Sequence, residues 1–174
     1  SFINKESLLW KIIHNAFRFL ISLAFIIVFQ TLFGVENTLL GVAISVGFTM
    51  LPMCNLDIKP WTMFWIIVIL YGGSTFVAQL SAVNPWLAFG CNFIFLSLII
   101  LLANEPLEYQ TNITFLLCFV FSQSTVVSWS QFPMRATAGI VGGIFVGGCV
   151  VLNWYRHGYG GKIRVRQQIL RCQV

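Results

Sequence analysis

Six long apolar runs alternate with short polar breaks along this chain, and nowhere does the every-second-residue rhythm of a half-buried strand appear. The runs cover residues 16–33, 37–54, 60–80, 85–103, 112–129 and 135–154. Each approaches the roughly 20 apolar residues a helix needs to cross hydrocarbon. Continuous apolarity fits helices and excludes an outer-membrane barrel, whose strands alternate. The breaks hold turn and charge signals: Gly34-Val35-Glu36, residues 55–59 with Asp57 and Lys59, residues 81–84, residues 104–111 with Glu105 and Glu108, and residues 130–134. Pro60 and Pro85 stand where a helix tolerates proline, in its first turn. The pattern predicts an all-α integral membrane bundle of six transmembrane helices. The fifth run is the least regular, because Ser122-Gln123-Ser124-Thr125 interrupts it with polar residues.

Composition agrees with this reading. Hydrophobic residues make up 58% and charged residues 9% of 174, with a mean hydropathy of +0.87, more apolar surface than a soluble domain of this size can bury. Charge then orients the helices. Of the ten basic residues, Lys5, Lys11, Arg18, Lys59, Arg156, Lys162, Arg164, Arg166 and Arg171 fall on one side of the expected membrane, and only Arg135 on the other. The positive-inside rule therefore places both termini in the cytoplasm of a multi-pass cell-membrane protein. Residues 1–14 read as an interfacial amphipathic segment, since Leu8, Leu9, Ile12, Ile13, Ala16 and Phe17 recur at helical spacing. No small-residue cleavage site follows the basic start, so the first helix is expected to stay. Residues 15–155 form the six-helix domain, and 156–174 a basic tail suited to anionic headgroups or to ordinary anchoring. The missing initiator methionine and the abrupt stop suggest a processed chain or a fragment.

The polar inventory excludes several chemistries. No P-loop pattern is present. The five acids, Glu6, Glu36, Asp57, Glu105 and Glu108, all fall at helix ends or in breaks rather than in mid-membrane, where proton relays keep theirs. His14 and His157 are single and far apart, so no metal ligand set forms. Cys54, Cys91, Cys118, Cys149 and Cys172 read as packing residues. No nucleophile, base and orienter converge, so no enzyme, catalytic residue, cofactor or nucleic-acid partner is expected. Trp10, Trp61, Trp86, Trp129, Trp154 and Tyr155 sit near the expected interfaces as belts, with Trp65 deeper.

The sixth run carries the densest signals. Gly139, Gly143 and Gly147 recur every four residues and line one helix face, the arrangement by which membrane helices approach closely. That face serves either a contact between subunits or repeats, or tight packing inside one monomer. Arg135 opens the same helix, where the dipole adds positive potential. It either snorkels to the headgroups or faces a cavity and holds a carboxylate in its planar fork. Gln123, Asn92 and Thr137 are candidate companions, with Gln30, Thr49, Gln79 and Asn153 as further polar positions. A faint repeat pairs Asn37-Thr38-Leu39-Leu40 with Asn112-Ile113-Thr114-Phe115, and Lys59-Pro60-Trp61-Thr62 with Arg135-Ala136-Thr137-Ala138. Two three-helix halves of opposite orientation would follow, the plan of many secondary transporters.

Taken together, the basic lead-in Lys11 and Arg18, the Gly34-Val35-Glu36 turn, Leu51-Pro52 closing the second helix, and a last helix with Arg135, Thr137, Gly142 and Asn153 resemble the membrane domain of the fusaric acid resistance protein-like (FUSC) and aromatic acid exporter family. The likeness runs from about Lys11 to Arg156. It implies a six-helix transporter domain, often dimeric, that exports aromatic carboxylates and other small organic anions, with Arg135 as the helix-opening arginine. Ala136-Thr137-Ala138 after that arginine, and Lys59 in place of an arginine opening the third helix, depart from the family pattern. The functional expectation is a homodimeric exporter of small organic anions in the lipid bilayer, with Arg135, Gln123, Asn92 and Thr137 in contact with substrate. Two other readings fit the same topology: a substrate-binding membrane subunit of a multi-component transporter, and a membrane scaffold that transports nothing.

Overall fold

The computed structural model describes residues 2–51, 59–103 and 112–157 of the chain, with side chains from Leu9 onward. The expected loops at 55–58 and 104–111, the basic tail at 158–174, and Cys54 and Cys172 lie outside the described residues. Six α-helices follow in order: α1 (Phe2–Phe33), α2 (Thr38–Met50), α3 (Pro60–Ser81), α4 (Pro85–Ala103), α5 (Asn112–Ser124) and α6 (Phe132–His157). No strand occurs among the described residues.

Local chemistry explains the boundaries. Pro60 and Pro85 open α3 and α4 as their fixed φ allows. Gly34 ends α1 at φ 89 and ψ 161, a conformation that essentially only glycine adopts, and a 3-10 turn over Val35–Asn37 then leads into α2. The fifth helix stops at Ser124, five residues before the expected end at residue 129. Ser124 and Thr125 both turn their hydroxyls onto the Phe121 carbonyl, a local bond that competes with the helical ladder. The sixth begins at Phe132, three residues earlier than expected, with Pro133 in its first turn.

Among the described residues, four helices are long and apolar enough to cross a membrane: Leu9–Phe33, Pro60–Ser81, Pro85–Leu102 and Phe132–Arg156. The described parts of the other two, α2 and α5, have 13 residues each. α2 and α5 are the second helices of the two three-helix halves, and they pack against each other. The third helices of the halves, α3 and α6, also pair, in the most extensive contact of the bundle. The remaining central contacts are α3 on α5 and α2 on α6.

The pairs α3–α6 and α2–α5 make up the core, which includes Ile44, Ile67, Leu70, Tyr71, Phe115 and Val146. Half of the most apolar window of both α3 and α6 is buried, against 6% for α1 and 11% for α4, so the first helix of each half lies at the periphery. A stripe of phenylalanines fixes α1: Phe25, Phe29 and Phe33 recur every four residues, Phe25 stacks on Phe145 of α6 at 5.1 Å, and the Phe29 ring fills the space a Cβ would take at Gly41 of α2.

Candidate functional site

All six helices have an end near the start of α6, and polar side chains collect there. Arg135, in the second turn of α6, is 2% exposed. Its Nε donates to Asn37 Oδ1 at 2.8 Å, and its Nη2 to the Glu36 carbonyl at 2.6 Å. Its Nη1 donates to the carbonyl of Thr125, to Thr125 Oγ1 at 3.1 Å and to the Ser122 carbonyl at 3.5 Å. The Ser122 and Thr125 carbonyls belong to the end of α5, where a helix has no internal donor left for its last C=O groups, and a cation there also meets the negative end of the dipole. Glu36 and Asn37 belong to the 3-10 turn before α2. One guanidinium thus ties the start of α2 and the end of α5 to the start of α6.

Each partner is itself held. Asn37 is buried, and its Nδ2 donates to the Phe33 carbonyl at 2.7 Å, which leaves its side-chain oxygen turned to the arginine. Gln131 donates to Glu36 Oε1 at 2.8 Å, and Ser128 donates to Gln131 Oε1 at 3.2 Å. A recess of about 380 Å³ opens beside this network between the α1–α2 turn and the α5–α6 loop, with Glu36, Thr38, Thr125, Ser128 and Gln131 among its walls. Glu36 and Thr125, both held by Arg135, therefore face the recess directly.

The other candidates divide. Asn92 and Gln123, both half-buried, are brought together: Gln123 Nε2 and the Ser81 hydroxyl both donate to Asn92 Oδ1, the latter at 3.4 Å. Gln79 joins the same end of the bundle by donating to the Val127 carbonyl at 2.9 Å. Thr137 is exposed on the outside of α6, its hydroxyl bonded to the Pro133 carbonyl at 2.7 Å, away from the arginine's partners. The glycines lie inside the chain's own bundle. A Cβ at Gly139 would meet Thr75, one at Gly143 the Val68 backbone at 3.0 Å, and one at Gly147 the Phe64 ring, all on α3. Gly142 faces Ile44 of α2.

Asn37, Ser122, Thr125, Glu36 and Gln131 were not singled out from the sequence as site residues. Asn37 and Thr125 carried a signal, as polar residues at the edges of apolar runs, but nothing local points them at a residue in α6. No cluster of three or more metal-ligating side chains occurs among the described residues.

Comparison with family models, curated proteins and solved structures finds no match.

Proposed function

We propose that this chain is a membrane transporter that exports small organic anions, aromatic carboxylates in particular. One observation carries the reading. The second helices of the two halves pack together, and the start of one and the end of the other meet around a buried cation beside an open recess. Secondary transporters built from inverted halves place their substrate sites where the two halves meet. Irregular backbone at membrane depth is tolerated where it lines a cavity or is buried in protein.

Arg135 acts in this scheme mainly through its field. Its N–H groups are directed at carbonyls, while its charge, in a poorly screened setting, draws an anion to the recess. The partly exposed amides of Gln123 and Asn92 supply neutral hydrogen-bonding groups near the same end. Among the described residues, Lys11, Lys59 and Arg156 sit toward the opposite end of their helices, which by the positive-inside rule is the cytoplasmic one. Both termini then lie in the cytoplasm and the recess opens outward. The working unit of this proposal is a homodimer in the cell membrane.

The test is uptake of radiolabelled benzoate by inside-out vesicles carrying the full chain. Accumulation above that of vesicles without the protein is expected. Equal accumulation, for benzoate and for a panel of other aromatic and aliphatic carboxylates, refutes the transporter reading.

A further inference from the structure

Asn92 and Gln123 form a hydrogen-bonded pair on the side of the bundle where α4 meets α5, and both are half-buried. The pair lies within the apolar span of α4. Trp86, 86% exposed in the first turn of that helix, marks the headgroup level. Asn92 comes six residues later, about 9 Å further along the axis. Around the pair the surface is apolar and open. Phe89, one turn before Asn92, is 74% exposed, and Val120, one turn before Gln123, is 53% exposed. A residue one turn away stands on the same side of its helix, so one of these side chains flanks the pair toward the start of α4 and the other toward the middle of α5.

The two amides are only half used. Asn92 Oδ1 accepts from Gln123 Nε2 and, at 3.4 Å, from the Ser81 hydroxyl. That leaves the N–H groups of Asn92 Nδ2 and the lone pairs of Gln123 Oε1, none of which has a partner among the described residues. Neither atom is enclosed within the chain, so both reach the surface. Lipid tails offer no acceptor and no donor there, and an amide left unpaired in hydrocarbon is costly. The surplus is self-complementary, since one amide ends in donors and its neighbour in an acceptor.

We propose that the face formed by α4 and α5 is the contact between two copies of this chain, closed by a ring of four amides in which Asn92 Nδ2 of each copy donates to Gln123 Oε1 of the other. A two-fold axis brings donor and acceptor face to face twice, so each copy supplies what the other lacks. A lipid tail supplies neither group. Hydrogen bonds between polar side chains, together with van der Waals contact, are the forces that join membrane helices. Phe89 and Val120 add apolar contact on either side of the ring and keep it dry. Contact between subunits is one of the two uses expected for the glycine face of α6, but α3 of the same chain occupies that face. The second copy is left to another side of the bundle.

This inference rests on the homodimer of the transporter reading, and the experiment separates the two by following assembly without substrate. The full chain, fused to a fluorescent protein, is reconstituted in phosphatidylcholine vesicles at rising lipid dilution, and subunits are counted by photobleaching steps. Wild type is expected to bleach in two steps at dilutions where Asn92→Leu and Gln123→Leu bleach in one. The dissociation constant of each variant should rise about tenfold, as for the two interhelical bonds that one substitution removes from a symmetric pair. Equal dissociation of variants and wild type overturns the amide ring. A wild type that bleaches in one step at every dilution removes the homodimer too, while benzoate uptake still decides transport. A second measurement leaves the amides intact: Val120→Cys and, on α6, Leu152→Cys are oxidised in the same vesicles, with wild type and its own cysteines as the background. More cross-linked dimer through Val120→Cys than through Leu152→Cys supports this face. A yield from Val120→Cys no higher than from Leu152→Cys overturns it.

Discussion

Arg135 Nε donates to Asn37 Oδ1 at 2.8 Å, across 98 positions of sequence, and so joins the start of the last helix to the turn between the first two. Both side chains are buried, and the arginine's other arms reach the end of α5 and the carbonyl next to Asn37. The arginine thus holds together two chain breaks, the α1–α2 turn and the α5–α6 loop, whose carbonyls would otherwise lose these donors.

Arg135→Gln should therefore cost stability as well as transport. Leaving the Asn37, Glu36 and Thr125 oxygens without their donor is expected to remove about 3 kcal/mol, given about 1–3 kcal/mol for each buried unsatisfied group and partial rescue by water. Arg135→Lys keeps the charge but loses the fork. It should unfold nearly as early as Arg135→Gln while retaining more benzoate uptake. Thermal unfolding in detergent and vesicle uptake, measured side by side, check both halves. If the glutamine and lysine variants transport equally, the field of the cation is not what draws substrate.

Asn37 and Arg135 should be coupled energetically. In a double-mutant cycle with Asn37→Ala and Arg135→Ala, the two losses are expected to fall short of additivity by about 1–3 kcal/mol, as for groups in one buried network. Strict additivity of the unfolding free energies would show that the bond carries no net weight.

Gly143→Ala tests the α3–α6 contact. The added methyl would stand 3.0 Å from the Val68 Cα, and backbone cannot swing aside as a side chain can. A destabilisation of about 1–3 kcal/mol is expected, typical of overpacking. Gly148→Ala, with open space at that position, is the control and should be neutral or slightly stabilising, since alanine is the better helix former. Chemical or thermal unfolding of the two variants in one detergent decides.

Phe29→Ala should free α1. The ring is 4% exposed and packs on Phe25, Phe33 and the bare surface at Gly41. Lipid replaces part of the lost apolar contact, so the cavity term dominates and about 2 kcal/mol is expected. Limited proteolysis should then cut α1 before the rest of the bundle, and simultaneous loss of all helices would contradict a peripheral α1.

The elements were legible in the sequence wherever apolarity was continuous and punctuation was strong. Pro60, Pro85 and Gly34 mark their helix ends as the chain alone predicts. The end of α5 was not, because the competition of the Ser124 and Thr125 hydroxyls with the ladder is a matter of geometry rather than of hydropathy. The glycine spacing announced a close approach, but its partners Thr75, Val68 and Phe64 follow from topology. Asn92 and Gln123 stood out as amides in apolar runs, and their mutual bond depends on how α4 meets α5. Arg135 was singled out as the lone cation of its side. That its donors turn to Asn37, 98 positions away, and to Thr125, across the α5–α6 loop, could not be read, since local patterns contain no information about how separate elements pack.

The arginine's partners also impose an order on biogenesis. A ribosome releases the Asn37 turn and the α5 end before Arg135 exists, so the acceptors wait in place and the charge is made last. A guanidinium entering lipid without them would carry an unneutralised burden into hydrocarbon. A nascent chain whose earlier helices are already threaded and docked offers α6 its acceptors on arrival, so seating of that helix reads out the assembly of those before it.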